Sequence, residues 1–315
     1  MKNRFSKRRL VVAGMLVVTL LAAKGCTPHD RTEDCPPPKA INVTAFSKVA
    51  GDLYIDQSAR IRDVVIFVYD EKEKLLGRID TQPNTTVPFE FSGHNKYYIV
   101  ALGNSAGGYF TVAARDGLAS SGISLNSNAK TAPPKAPVDD LFFGEQCVEL
   151  KPGYTIEQVD LHMLRQVGAM NVTVRGLPRE VGDVASDYQV VVQETYQAMD
   201  FLGRMTNSAG RATYYPTSTF LSNGDLFVDN FNLLPSESGY NVAIDILYHN
   251  TPLTRGIVRE TYTPGSTINI KPNSQNNILI DYGDPKLRKF NSMPVVQIIF
   301  SDWGAPVPGW IGKEE

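Results

Sequence analysis

From Ala40 to Phe300 the chain is written in short apolar or alternating runs punctuated by Gly, Pro, Asn and Asp, a pattern that admits little but an all-β fold. Val64-Val65-Ile66-Phe67-Val68-Tyr69 is β-branched and aromatic and closes on Asp70. Residues 74–79 can return antiparallel to it after the polar Glu71-Lys72-Glu73 turn. Residues 87–91, 97–102 and 141–150 read as further strands, and no stretch of helical periodicity long enough for a βαβ crossover separates them. Between 107 and 137 the composition shifts to Ala, Ser, Gly, Asn and Pro, which reads as a long surface excursion with a short helix at 113–118.

The second half repeats the style. Residues 159–164 alternate, and Val172-Thr173-Val174 and 188–192 follow. Within 240–248, Val242, Ile244, Ile246 and Tyr248 share one face while Asn241, Ala243, Asp245 and Leu247 share the other, the period of a half-buried strand. Residues 253–261 are placed to pair with it across His249-Asn250-Thr251-Pro252, and 277–282 and 295–300 complete the series. About seven strands per half, with turns every 8–12 residues or so, indicate two β-sandwiches in tandem, expected over 40–160 and 161–315.

Ahead of this body Lys2, Arg4, Lys7, Arg8 and Arg9 form a positive region, residues 10–23 an apolar core, and Ala22-Ala23-Lys24-Gly25-Cys26 a junction of mostly small residues. The apolar run is shorter than the roughly 18 residues of a spanning helix and has no polar face to turn to water. It reads as a secretory signal, residues 1–25, cleaved after Gly25 to leave Cys26 as a lipidated first residue, although Ala23 and Lys24 depart from the usual lipoprotein junction. Residues 26–39 then form a polar tether. With about 0.8 kcal/mol per buried methylene, several acyl chains attach such a protein firmly to a membrane.

Removing that signal takes away six of the 31 cations and none of the 33 carboxylates, so the mature chain carries a net charge of −8 with His neutral. An acidic chain is a poor match for phosphate backbones, and no nucleic-acid partner is expected. With Cys26 lipidated, Cys35 and Cys147 remain as an even pair in an oxidising compartment and are expected to bond, closing a loop worth about 4–5 kcal/mol in the chain-entropy model. Two unpaired buried thiols are the alternative, since pairing geometry is not readable from sequence. His29, His94, His162 and His249 are scattered without metal-ligand spacing, so no metal or cofactor is expected.

Catalytic motifs are thin. Gly103-Asn104-Ser105-Ala106-Gly107 matches G-x-S-x-G after a strand, but the alternating helices and oxyanion-loop glycines of an α/β-hydrolase are missing, and a glycine-rich turn explains the text. Ser127-Asn128-Ala129-Lys130 matches S-x-x-K without its companion motifs. Asp139 and Asp140 are adjacent, point to opposite faces of an extended chain, and read as solvated surface rather than paired catalytic carboxylates. No enzymatic activity is expected.

The far end is more informative. Val296, Ile298 and Phe300 share one face of a final strand that leads to Trp303 and a Gly/Pro-rich tail bearing Trp310. Such a strand pairs in its own sheet or adds to a partner's, and the tail beyond Trp303 is the better candidate for reaching a partner.

Together these pieces resemble the FimB-type fimbrial anchor subunits of type V (Bacteroidia-type) fimbriae, a lipoprotein family. The matching text is Cys26 followed by Asp34-Cys35-Pro36, the hairpin strand ending in Tyr69-Asp70, and the run from Tyr97 to Gly103-Asn104. Leu164-Arg165 with Val172-Thr173-Val174, and Ser301-Asp302-Trp303, complete it. The resemblance implies two tandem transthyretin-like β-sandwich domains and an outer-membrane, lipid-anchored protein at the cell surface. It also implies partners among fimbrial shaft pilin subunits and a role in tethering the shaft and limiting fibre length. Shaft pilins of the same superfamily are trimmed after an arginine, so that the N-terminal strand leaves and a neighbour's segment takes its groove; Arg31, Arg60 and Arg62 are the possible sites here. A Cys35–Cys147 bond would hold the N-terminal segment and favour an untrimmed anchor. The alternatives are a shaft or tip pilin of that superfamily and a surface glycan-binding lipoprotein of a nutrient-uptake system.

Overall fold

The computed structural model describes residues 40–49, 55–56, 60–90, 93–126, 138–150, 156–177, 182–207, 210–236, 242–254, 268–283 and 295–302. The signal, Gly25, Cys26, the tether with Arg31 and Cys35, the S-x-x-K segment, Trp303 and Trp310 lie outside the described residues. The first half contributes β1 (Ala40–Val49), β2 (Ile55–Asp56), β3 (Val64–Tyr69), β4 (Leu75–Thr81), β5 (Thr86–Glu90), β6 (Lys96–Gly103), β7 (Phe110–Ala113), β8 (Gly122–Leu125), β9 (Phe142–Glu149) and β10 (Ile156–Arg165). The second contributes β11 (Gly168–Arg175), β12 (Tyr188–Thr195), β13 (Ala198–Asp200), β14 (Met205–Thr206), β15 (Ala212–Tyr214), β16 (Ser218–Phe220), β17 (Leu226–Leu233), β18 (Ala243–Tyr248), β19 (Thr251–Thr254), β20 (Ser274–Asp281) and β21 (Val295–Asp302).

Every residue of β3 is buried, which is why its sequence is continuously apolar rather than alternating. It lies inside the run β4-β3-β6-β9 of an eight-stranded sheet that continues through β10 to β1, β2 and β5, and both faces of that run are covered. On one face Val64, Ile66 and Val68 pack with Tyr97, Ile99 and Ala101 of β6 against Ile41, Val43, Val87, Phe89, Val159 and Leu161 of the layer β5-β1-β10. On the other, Val65, Phe67 and Tyr69 meet Leu118, Ile123, Met199 and Phe201, with the Phe67 and Phe201 rings 5.1 Å apart. The second half closes its own sandwich, β16-β17-β11-β20-β21 over β15-β12-β18-β19, around Val172, Val228, Ile280, Val190 and Ile244.

The all-β expectation of two sandwiches holds. Of the strand expected at 240–248, residues 240 and 241 lie outside the described residues and Ala243–Tyr248 form β18, with Ile244 and Ile246 buried as expected and Asp245 and Leu247 half-buried; against the expected alternation Ala243 is buried and Tyr248 half-buried. Its turn is shorter than expected. His249 and Asn250 take positive φ, 46° and 63°, so a two-residue turn joins β18 to β19.

Of the surface excursion expected over 107–137, residues 127–137 lie outside the described residues, and residues 107–126 are not an excursion. β7 ends at Ala113, a 3-10 turn occupies Leu118–Ser120 in place of the expected helix, and β8 pairs antiparallel with β13 of the second half, Ser124 opposite Ala198 and Gly122 opposite Asp200. Its small residues fit because the strands approach closely: a Cβ on Gly122 would sit 2.5 Å from the Met199 carbonyl oxygen. One sheet, β14-β13-β8-β7, is thus built from both halves. The expected junction between 160 and 161 falls within β10, which runs unbroken through it.

Candidate functional site

The N-terminal strand is the first element after the tether, and the fold encloses it. β1 pairs in parallel with β10 from Ala40 opposite Ile156 to Ser47 opposite Met163. On its other edge it pairs antiparallel with β5, from Ala40 opposite Glu90 to Thr44 opposite Thr86. Ile41, Val43 and Ala45 are buried beneath it, because alternate residues of a strand share a face. On the outer face Thr44 Oγ1 lies 2.7 Å from Thr86 Oγ1, Gln158 Nε2 donates to Thr44 Oγ1 at 3.3 Å, and the Phe46 and His162 rings meet edge-on at 4.2 Å.

A polar knot at the base of β3 fixes the chain between β2 and β3. Asn104, fully buried at φ 60°, accepts from the Arg62 amide at 2.7 Å and donates to the carbonyls of Arg60 and Asp140, each at 2.9 Å. The Arg60 and Arg62 side chains pair with Asp140 (3.6 Å) and Asp139. Arg165, the last residue of β10, is wholly buried and also donates to Asp140. Its remaining donors reach the Val167 carbonyl at 3.0 Å and Asn232 Oδ1 on β17 at 2.9 Å, and Asn232 Nδ2 in turn donates to the Val138 carbonyl at 2.8 Å. Burial pushes the Arg165 pKa down, while the Asp140 carboxylate beside it acts in the opposite direction. Asp139 and Asp140 are therefore not solvated surface; their side chains are 15% and 18% exposed and hold the knot together. Sequence reasoning missed this role, and the one available signal was Arg165 itself, a cation at an inward position of an alternating strand.

The Ser105 motif is the turn that leaves β6. Ser105 is buried, the amide of Ala106 donates to Asp63 Oδ1 at 3.3 Å, and among the described residues no histidine bonds to Ser105. That is a structural turn, without the base a nucleophile needs. Among the described residues one group, Asp70, Glu71 and His94, brings possible metal-ligand atoms within 4.8 Å of one another. Asp70 Oδ1 accepts from the amides of Lys72 and Lys74, both at 2.8 Å, and His94 Nδ1 lies 2.9 Å from Glu71 Oε2. Those are a turn and a side-chain hydrogen bond.

Cys147 is a free, exposed thiol. The expected bond to Cys35 is not formed in the structure: Cys147, opposite Tyr98 of β6, is unbonded, and Cys35 lies outside the described residues. At the far end β21 pairs antiparallel with β20 over its whole length, placing Val296 opposite Ile280, Ile298 opposite Ile278 and Phe300 opposite Asn276, and it is the outermost strand of its sheet. The final strand therefore pairs within its own chain along one edge.

Comparison with known proteins places this arrangement. Residues 32–306 match the model of the family described as fimbrillin-A associated anchor proteins Mfa1 and Mfa2. The fold is shared with the fimbrial anchor protein Mfa2 from Porphyromonas gingivalis, at TM-score 0.62 and 14% identity over 84% of this chain and 98% of that one. It is also shared with a candidate adhesin from Bacteroides thetaiotaomicron, at TM-score 0.59 and 12% identity over 84% and 97%. A candidate polysaccharide-binding protein of the same organism aligns at TM-score 0.59 and 12% identity over 84% and 96%. No curated protein sequence matches the chain.

Proposed function

The chain belongs to the family of fimbrillin-A associated anchor proteins Mfa1 and Mfa2, and from that premise we propose that it fastens a fimbrial shaft to the outer membrane. It is a fimbrial surface protein; the tethering is our reading. The signal is removed after Gly25, Cys26 carries the lipid, residues 26–39 span from the membrane to β1, and the C-terminal strand and its tail, with Val296, Ile298, Phe300, Trp303 and Trp310, meet a shaft pilin.

The observation that carries this reading is the enclosure of β1. A subunit that accepts a neighbour's strand must first lose its own, yet here β1 is bonded on both edges and packed beneath. The segment at Arg60 and Arg62, where trimming would release it, is held by Asn104. A chain that keeps β1 stays continuous with its lipid.

Intact-mass analysis of the protein from cells tests this, together with deletion of its gene. Acylated Cys26 joined to an uncut chain, and shed or overlong fimbriae in the deletion strain, are the expected results. A mature protein beginning after Arg31, Arg60 or Arg62 moves it to the shaft or tip class. The candidate polysaccharide-binding relative favours a second reading as a glycan-binding lipoprotein; unchanged fibres with lost polysaccharide binding in the deletion strain would select it.

A further inference from the structure

We propose that β1 is a shear clamp, oriented so that tension from the tether runs along the strand axis and loads all of its backbone hydrogen bonds at once. The source of that tension rests on the tethering reading; the clamp itself rests on topology. β1 begins at Ala40, the end nearest the tether, and runs parallel to β10 over eight residue pairs. β10 ends at Arg165, and after two residues the chain enters β11 of the second half. A pull toward the membrane therefore leaves β1 by its N-terminal end, and the opposing pull from the second half enters β10 by its C-terminal end.

Parallel strands drawn from those ends slide along a common axis, and the ladder between them shares the load. An antiparallel pair drawn in the same way would have both forces at one end, and its bonds would open in succession. Parallel pairing is the less common arrangement in a sheet of hairpins and meanders, and here it falls between the two strands that a tether and a fibre would pull. β5 occupies the other edge of β1 over Ala40 to Thr44, so β1 cannot slide without breaking both ladders and withdrawing Ile41, Val43 and Ala45 from the core.

The far end of β10 is fixed in a way that suits the same load. Arg165 is bonded to Asp140, the Val167 carbonyl and Asn232. The Gln166 amide donates to the Leu141 carbonyl at 2.8 Å, and the Val167 carbonyl accepts the Asn273 amide at 2.9 Å. Force arriving from the second half is thereby delivered to β10 without peeling its last turn of chain from the sheet.

Single-molecule stretching of the mature chain tests the clamp. One handle is placed at Cys26 and the other at the C-terminus, and the result is compared with the same chain held at Gly51, past the other end of β1, and at the C-terminus. The first geometry shears β1 and the second peels it, so the first-half sandwich is expected to open at about twofold higher force in the first, forced unfolding being governed by the unfolding barrier. Thr44→Pro removes an amide from the middle of β1 and is expected to lower the force in the first geometry. Equal forces in the two geometries of the unaltered chain overturn the proposal, whether or not the variant folds. A strong clamp in a protein absent from fimbrial bases would remove the tethering reading alone; a weak one in a protein found there would remove the clamp alone.

Discussion

Arg165 Nη2 donates to Asn232 Oδ1 across 2.9 Å, from the last residue of β10 to the last but one of β17, and so bonds the final strand of one half directly to the sheet of the other. The guanidinium has no exposed surface, and its other donors serve Asp140 and the Val167 carbonyl. Arg165→Ala would leave the largely buried Asp140 side chain with only the longer contact to Arg60 and would strip two acceptors of a donor. Losing one partner of a buried, hydrogen-bonded pair costs roughly 3–5 kcal/mol, and chemical denaturation should show a loss of that size. Arg165→Lys offers one compact ammonium in place of a planar fork and should recover only part of it.

Asn104 makes a second prediction, since one side chain holds three chain segments. Asn104→Ala removes hydrogen bonds to the Arg62 amide and to the carbonyls of Arg60 and Asp140 and leaves a residue with a Cβ but no side-chain bond at φ 60°. At about 1 kcal/mol for each of the three bonds and roughly 1–2 kcal/mol for the left-handed backbone, the expected loss is roughly 4–5 kcal/mol. The same change should expose the bonds after Arg60 and Arg62 to trypsin, with limited proteolysis read by mass spectrometry showing faster cleavage there than in the unaltered chain. Equal rates would show that Asn104 does not guard the segment.

What was legible in the sequence follows from what a strand writes into it. β3, β6, β12 and β18 announced themselves because burial on one or both faces demands β-branched and aromatic residues in number. β7 and β8 did not. They are four residues each, too short to show a period, and β8 opens on Gly122, which lies so close to β13 that it has no room for a side chain. The junction knot was illegible for a different reason: Asp139, Asp140 and Arg60 are ordinary surface letters until Arg165, brought from another strand, buries beside them. The enclosure of β1 is a matter of which strands flank it, and alternation in a single strand does not report its neighbours.

That close approach yields a third prediction. A Cβ at Gly122 would lie 2.5 Å from the Met199 carbonyl oxygen and 3.1 Å from the Asp200 Cα, both backbone atoms. Neither can move without parting β8 from β13, which among the described residues is the one strand pair that joins the two halves in a single sheet. Gly122→Ala should therefore destabilise by about 1–3 kcal/mol, and hydrogen exchange should show the amides of β8 and β13 losing protection before those of β3 and β6. Uniform loss of protection would mean that the shared sheet is not the weak joint.

The last prediction concerns pH. Glu145 on β9 has its pKa raised, first by burial and second by the nearby Asp200 carboxylate, which Arg204 holds with its Nε at 2.8 Å. The folded chain thus keeps the Glu145 proton to higher pH than the unfolded chain does. Between the ordinary carboxylate pKa and the raised value the folded state binds more protons, so stability falls as pH rises through that window. Above it, the charged Glu145 is a penalty on the folded state. Glu145→Gln removes the charge and keeps the shape, and should raise the melting temperature at pH values above that window, by a small amount because the side chain is exposed. The gain should shrink as pH is lowered through the raised pKa and vanish below the ordinary one. Thermal unfolding of both proteins across that range checks the sign: a gain that is independent of pH, or a loss at neutrality, would show that the folded chain does not disfavour the Glu145 charge.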